Sequence, residues 1–192
     1  MLKGHATLAK ILRISIPLIL TALWIAFIWS NSLKNGVESG EDSGRVYTIV
    51  SKTTESLGLG TPISEHSIRK TAHFTEFAIL GVLFCADLIC LRAVCFDQKV
   101  YVSAPLLLCS IPASVLFASA DEFLQNFSDG RGPSVKDVLI DTAGALCSTI
   151  IFIAVFILVR FIHKKRCEAR VKNQYALLHS NNHVQIGASI KK

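Results

Sequence analysis

Residues 138–162 read VLIDTAGALCSTIIFIAVFILVRFI, and between Asp141 and Arg160 this run carries no charge. The hydrocarbon core of a bilayer is about 30 Å thick, and a helix needs about 20 apolar residues to cross it. Three other blocks have the same character: 14–29 (ISIPLILTALWIAFIW), 72–91 (AHFTEFAILGVLFCADLICL) and 100–123 (VYVSAPLLLCSIPASVLFASADEF). The chain of 192 residues is 51% hydrophobic and 18% charged, with a mean hydropathy of +0.47. A soluble domain of this size would spread its apolar residues in periodic stripes, whereas here they come in long blocks. Inside lipid every backbone polar group has to be satisfied within its own segment, so each block is predicted to be an α-helix. The fold class that follows is all-α, an integral membrane four-helix bundle.

The first block follows Lys3, Lys10 and Arg13, as the apolar core of a secretory signal would. It is long, and no small-x-small cleavage site follows WSNSL, so it is expected to stay as a helix. Lysine and arginine accumulate on the cytoplasmic side of membrane proteins. With the N-terminus inside, 13 of the 20 basic residues fall in the N-terminus, residues 92–99 and the tail from Arg160, against seven in the two outer segments. The expected order is therefore a cytoplasmic N-terminus (1–13), helix 14–29, an extracytoplasmic segment (30–71), helix 72–91, a cytoplasmic loop (92–99), helix 100–123, an extracytoplasmic loop (124–137), helix 138–162 and a cytoplasmic basic tail (163–192). On this map the pI of 9.1 is mostly a topology signal. The run HKKRCEARVK suits contact with anionic lipid head groups, and no nucleic-acid partner is expected.

None of the six cysteines falls in an outer segment, and no CxxC occurs, which argues against a disulfide framework or a zinc ribbon. Segment 30–71 opens with SNSLKNGVESGEDSG, which has no core-forming pattern. Val46, Ile49, Val50 and Leu57 then recur at helical spacing, consistent either with a short amphipathic helix on the membrane face or with an ordinary loop. Thr61 and Ser64 are candidate helix caps, with Pro62 suited to a first turn. Pro105 and Pro112 are expected to kink the third helix. NFSDGRGPS has the composition of a turn, after which Ser134 is a candidate cap with Asp137 in a capping-box position.

The anomaly lies in three ionisable clusters, each at the predicted outer end of a different helix. RKTAHFTEF supplies Arg69, Lys70, His73 and Glu76; ADEFLQ supplies Asp121, Glu122 and Gln125; GRGPSVKDVLIDTAG supplies Arg131, Lys136, Asp137 and Asp141. Separations of three and four residues put the members of each cluster on one helix face. A charge at the bilayer centre costs about 2.5–3.5 kcal/mol on insertion scales, so such faces turn to protein or water rather than lipid. The three are predicted to converge on one polar pocket. Small residues at Gly144 with Ser148, and at Ala143 with Cys147, suit close helix packing. Trp24 and Trp29 are expected to pack against lipid and anchor at the interface.

The order K-x-x-H-x-x-E, then D-E-x-x-Q, then G-R and D-x-x-x-[N/D]-x-x-G resembles the VanZ-like family, bacterial membrane proteins associated with resistance to glycopeptide antibiotics such as teicoplanin. The resemblance runs from about Ser30 to Ala145. Lys70, His73, Glu76, Asp121, Glu122, Gln125, Arg131, Asp137 and Gly144 fall on its pattern. Asp141 departs from it, because that position is more often Asn in the family; the extra carboxylate changes the charge of the pocket. The resemblance implies a multi-pass protein of the bacterial cell membrane.

Several readings of the cluster stand side by side. In a binding protein, Arg69, Lys70 and Arg131 would meet the phosphate or carboxylate of a lipid-linked envelope precursor or a glycopeptide, with Asp121, Gln125, Asp137 and Asp141 on the same ligand-binding surface. In an enzyme acting on a lipid head group, His73 would be base or nucleophile oriented by Glu76, with Glu122 among the candidate acids. Proton-coupled transport would need acids through the whole bilayer, and only Asp87 lies deeper. Alternatively the network only fixes helix register. No cofactor is assigned and no metal site, since the outer cluster offers one histidine and HxxE alone is common.

Overall fold

The structure, a computed structural model, describes residues 2–58, 64–95 and 104–190. Its elements are α1 (Leu2–Ser32), α2 (Gly36–Ser56), α3 (Glu65–Cys95), α4 (Ala104–Leu108), α5 (Ser110–Leu124), a 3-10 turn (Gln125–Phe127) and α6 (Val135–Ile190), with no strand among the described residues. Thr61, Pro62 and residues 96–103, including most of the short inner loop, lie outside the described residues. Four helical stretches are long and apolar enough to cross a membrane: Lys10–Ser32, Glu65–Val94, Pro105–Phe127 and Val135–Gln174.

The chain divides into two units, Met1–Phe152 and Ile153–Lys192. The first holds the bundle. In it α3 packs against α1, α2 and α5, and α6 approaches α3 through Gly81 and Gly144. Its burial pattern inverts that of a soluble protein. Ile11, Ile16, Leu20, Leu23 and Phe27 of α1 are exposed, while Ser110, Ser114, Asp121, Glu122, Asp141 and Thr149 are buried. Even the most enclosed span, Pro105–Phe127, is only 33% buried. Water would not tolerate such an apolar surface, whereas lipid tails match it.

The small apolar core is Ile28, Phe77, Leu80 and Ala118, with Trp24, Trp29, Phe84 and Phe117 packed around it. Here the structure corrects the reading of the tryptophans. Trp24 donates from Nε1 to the Glu76 carbonyl at 3.0 Å, and Trp29 stacks on Phe117 at 6.1 Å. Both bind helices together, because each has a ring partner or an acceptor on a neighbouring helix.

Pro112 interrupts the third span. It has no N–H for the Leu108 carbonyl and its ring crowds that group, so α4 and α5 separate at Cys109, whose N–H turns instead to the Leu106 carbonyl at 3.1 Å. Between the first two spans, the stretch read as patternless is helical. Asn35 caps α2 by accepting from the Glu38 N–H at 2.8 Å, which offsets part of the poor helix propensity of Gly36, Gly40 and Gly44; packing against α3 adds to it. Ser64 caps α3 in the same way, accepting from the Ser67 N–H at 3.2 Å. The second unit continues α6, and its polar residues remain helical to Ile190. Lysine, arginine, glutamate and alanine there are strong helix formers, and Lys164 and Glu168 lie 3.9 Å apart at i,i+4.

Candidate functional site

The polar residues meet where α1 ends and α3 begins. Helix α3 starts at Glu65, so Arg69, Lys70, His73 and Glu76 follow one another up its first turns. Asp121 and Glu122 lie in the last turn of α5, and the chain then turns through Gly130, at φ +76°, to deliver Arg131. Asp137 and Asp141 are on the first turns of α6.

Arg131 joins the elements. Its Nη1 donates to the carbonyls of Asn31 and Ser32, each at 3.2 Å, which are among the carbonyls a helix C-terminus leaves without partners. Its Nη2 lies 3.4 Å from His73 Nε2. A guanidinium only donates, so Nε2 accepts and the imidazole proton sits on Nδ1. Burial first, and then the like charge of Arg69, lower the pKa of Arg131 from its ordinary value.

The carboxylates divide into satisfied and unsatisfied. Glu122 accepts from Gln125 Nε2 at 2.9 Å and from the Ser134 N–H at 2.8 Å. That second bond takes the donor a capping-box Asp137 would have bound, and Asp137 instead lies 3.6 Å from Lys70. Glu76 accepts from Asn31 Nδ2 at 2.9 Å. Its other oxygen is 3.9 Å from His73 Nδ1, too far for a hydrogen bond, so His73 and Glu76 do not form a hydrogen-bonded dyad. Asp121 is fully buried and accepts from Ser32 Oγ at 2.7 Å; its other oxygen has no partner. Asp141 is also fully buried, and neither of its oxygens has a hydrogen-bond partner.

Two cavities border His73. One of about 160 Å³ is lined by Lys34, Asp42, Arg69, His73, Glu76 and Arg131 together with residues of α2. A void of about 10 Å³ lies among Arg69, Lys70, His73, Gln125, Asp137 and Asp141. All ten residues singled out from the sequence thus sit in one connected group, while Lys136 is exposed. The sequence reading missed Asn31, Ser32 and the α2 wall with Lys34 and Asp42. An amide and a hydroxyl at the end of an apolar helix were the available signal, and Asn35 three residues before Glu38 was the cap that made α2 legible.

Such an arrangement, an apolar exterior around ionisable groups held at one end of four spans, defines a polytopic membrane protein with a polar site. Residues 17–159 match the VanZ/LLP1 family profile. The chain belongs to the VanZ/LLP1 family. No curated protein and no solved structure matches it.

Proposed function

We propose that this protein binds the anionic group of a cell-envelope molecule, a lipid-linked wall precursor or a glycopeptide, in the cavity of about 160 Å³. The observation that carries this reading is Arg69. It lines that cavity beside His73 and Arg131, yet makes no hydrogen bond or ion pair to any described residue. The other cations are engaged: Lys34 with Asp42 at 2.8 Å, Lys70 with Asp137 and Arg131 with backbone carbonyls. An arginine held beside a second arginine without a carboxylate partner suits phosphate or carboxylate, which it grips with two parallel hydrogen bonds.

The charge asymmetry supports a topology with this end of the bundle outside the cell, where both ligand classes are found. Helix α2 exposes Val46 and Ile49, three residues apart on one face, and suits the membrane surface, so a lipid-linked ligand would reach the cavity from the leaflet. Retention of such a precursor, or of the drug itself, is the route by which the protein would contribute to glycopeptide resistance.

The test is native mass spectrometry of the protein in nanodiscs with lipid-linked wall precursors and, separately, teicoplanin. Arg69→Ala is expected to weaken binding of the true ligand about tenfold or more, since a charge-assisted hydrogen bond is worth about 1.5–3 kcal/mol. Equal binding by wild type and Arg69→Ala, or no binding of either class, overturns the proposal.

A further inference from the structure

Beside the anion cavity lies a second set of groups that the proposed binding does not use. His73 of α3, Asp121 of α5 and Asp141 of α6 each offer a ligand atom, and these atoms lie within 4.8 Å of one another. Asp121 and Asp141 are 0% exposed. His73 Nδ1, Asp121 Oδ1 and both oxygens of Asp141 are buried without a hydrogen-bond partner. Buried polar atoms are nearly always paired, and a buried carboxylate with no donor on either oxygen is costly.

The neighbouring cations do not resolve this. Arg131 makes its hydrogen bonds to two carbonyls and His73 Nε2 rather than to Asp121 or Asp141, and Lys70 faces Asp137. Glu76 and Glu122 have their own donors. Asp141 is left with no donor on either oxygen, and Asp121 and Asp137 each keep one oxygen unpaired; a void of about 10 Å³, the size of one small ion or one water, borders His73, Asp137 and Asp141.

We propose that His73, Asp121 and Asp141 bind a single divalent transition-metal cation such as Mn²⁺ or Zn²⁺. One imidazole and two carboxylates form a mixed N/O set suited to these ions. With metal–ligand bonds of about 2.1 Å, ligand atoms stand roughly 3–4 Å apart, so the triad draws in by about 1 Å on binding. Side-chain rotation supplies that much, because the α3–α6 crossing next to it is already at backbone contact. Binding through Nδ1 moves the imidazole proton to Nε2, which then repels Arg131 Nη2. The guanidinium edge facing His73 is freed toward the cavity, so the ion and the anion site are coupled through one ring.

The test uses the full-length protein in detergent, without a polyhistidine tag, stripped with chelator and titrated with Mn²⁺ alone. A hard ion discriminates against the exposed Cys167–His163 pair of α6. The expected result is about one Mn²⁺ per chain by paramagnetic resonance and an increase in melting temperature that saturates with it. Asp141→Asn and Asp121→Asn should each weaken binding at least tenfold and abolish the increase. Asp141→Asn keeps the shape of the side chain, and a melting temperature at or above that of stripped wild type establishes that it folds. Wild type that takes up no Mn²⁺ at millimolar concentration, or an Asp141→Asn protein that binds it as tightly as wild type, overturns the site. Neither result depends on precursor binding, so failure here is distinguishable from failure of the anion pocket.

Discussion

Gly144→Ala is the sharpest probe of how the site is held. A Cβ at Gly144 would strike the carbonyl oxygen of Phe74, and would lie 3.0 Å from the Phe74 carbonyl carbon and 3.3 Å from the Ala78 nitrogen. All three obstacles are α3 backbone, so no rotamer change relieves them, and the helices have to part by about 1 Å. Overpacking costs about 1–3 kcal/mol, and a rigid obstacle belongs at or above the top of that range. Alanine recovers about 1 kcal/mol of helix propensity over glycine, leaving a net loss of about 2 kcal/mol. Asp141 is one turn from Gly144 and His73 adjoins Phe74, so the same displacement widens the His73–Asp141 separation. The assay is reversible unfolding in mixed micelles titrated with dodecyl sulfate, with Gly132→Ala as control, since a Cβ there meets nothing within 4 Å. A Gly144→Ala protein within about 0.5 kcal/mol of wild type, as expected for the control, would show that α3 and α6 do not meet at backbone contact.

Three other outcomes follow from single contacts. Glu122→Gln sets an amide N–H against either the Ser134 N–H or Gln125 Nε2, both of which now donate to Glu122; the stranded buried group should cost about 1–3 kcal/mol in the same unfolding assay. Arg131→Lys cannot span both the Asn31 and Ser32 carbonyls while facing His73, so it should lower the melting temperature and leave Arg131→Ala lower still; equal melting of wild type and both variants would contradict the role given to the guanidinium. Lys34 holds the Asp42 carboxyl below the ordinary aspartate value of 3.8, by its hydrogen bond and then its charge. With the folded value depressed, the stabilisation is present above the unfolded value and lost as pH falls through the folded one. Carboxyl NMR should therefore place the Asp42 titration below 3.8, and Lys34→Ala should return it upward.

The spans were legible because their signal is an uninterrupted apolar run, which needs no tertiary context. The convergence of the three polar clusters was legible for a related reason: the cost of exposing charge to lipid leaves each one a single direction to face. Other features depend on partners distant in sequence. The capping-box spacing at Ser134 and Asp137 was present, but Glu122, on another helix, took the Ser134 N–H. Trp24 and Trp29 carried an interface signature, yet the Glu76 carbonyl and Phe117 engage them. Helix α2 was legible only as one of two readings of its second half, because the glycines and scattered charges of its first half hide a pattern that the cap at Asn35 makes coherent. Asn31 and Ser32 were read as the start of the outer segment, and their role appears only when Arg131, from a loop a hundred residues on, reaches their carbonyls.

That division bears on how any functional variant is to be interpreted. Glu122 and Arg131 are both part of the polar site and part of what fastens the ends of α1, α5 and α6 together, so loss of function on replacing either does not separate binding from folding. Gly144 has the same ambiguity through the backbone. Arg69 does not share it, because its guanidinium makes no hydrogen bond or ion pair to a described residue, and its removal leaves every bond in the cluster intact. Asp141 is distinctive in the opposite sense: it is buried without a donor, so replacing it with asparagine relieves a cost if nothing occupies the site and removes a ligand if a cation does. The two substitutions therefore report on ligand and ion with the fold held constant, and a protein in which both were silent would have a polar interior that serves packing alone.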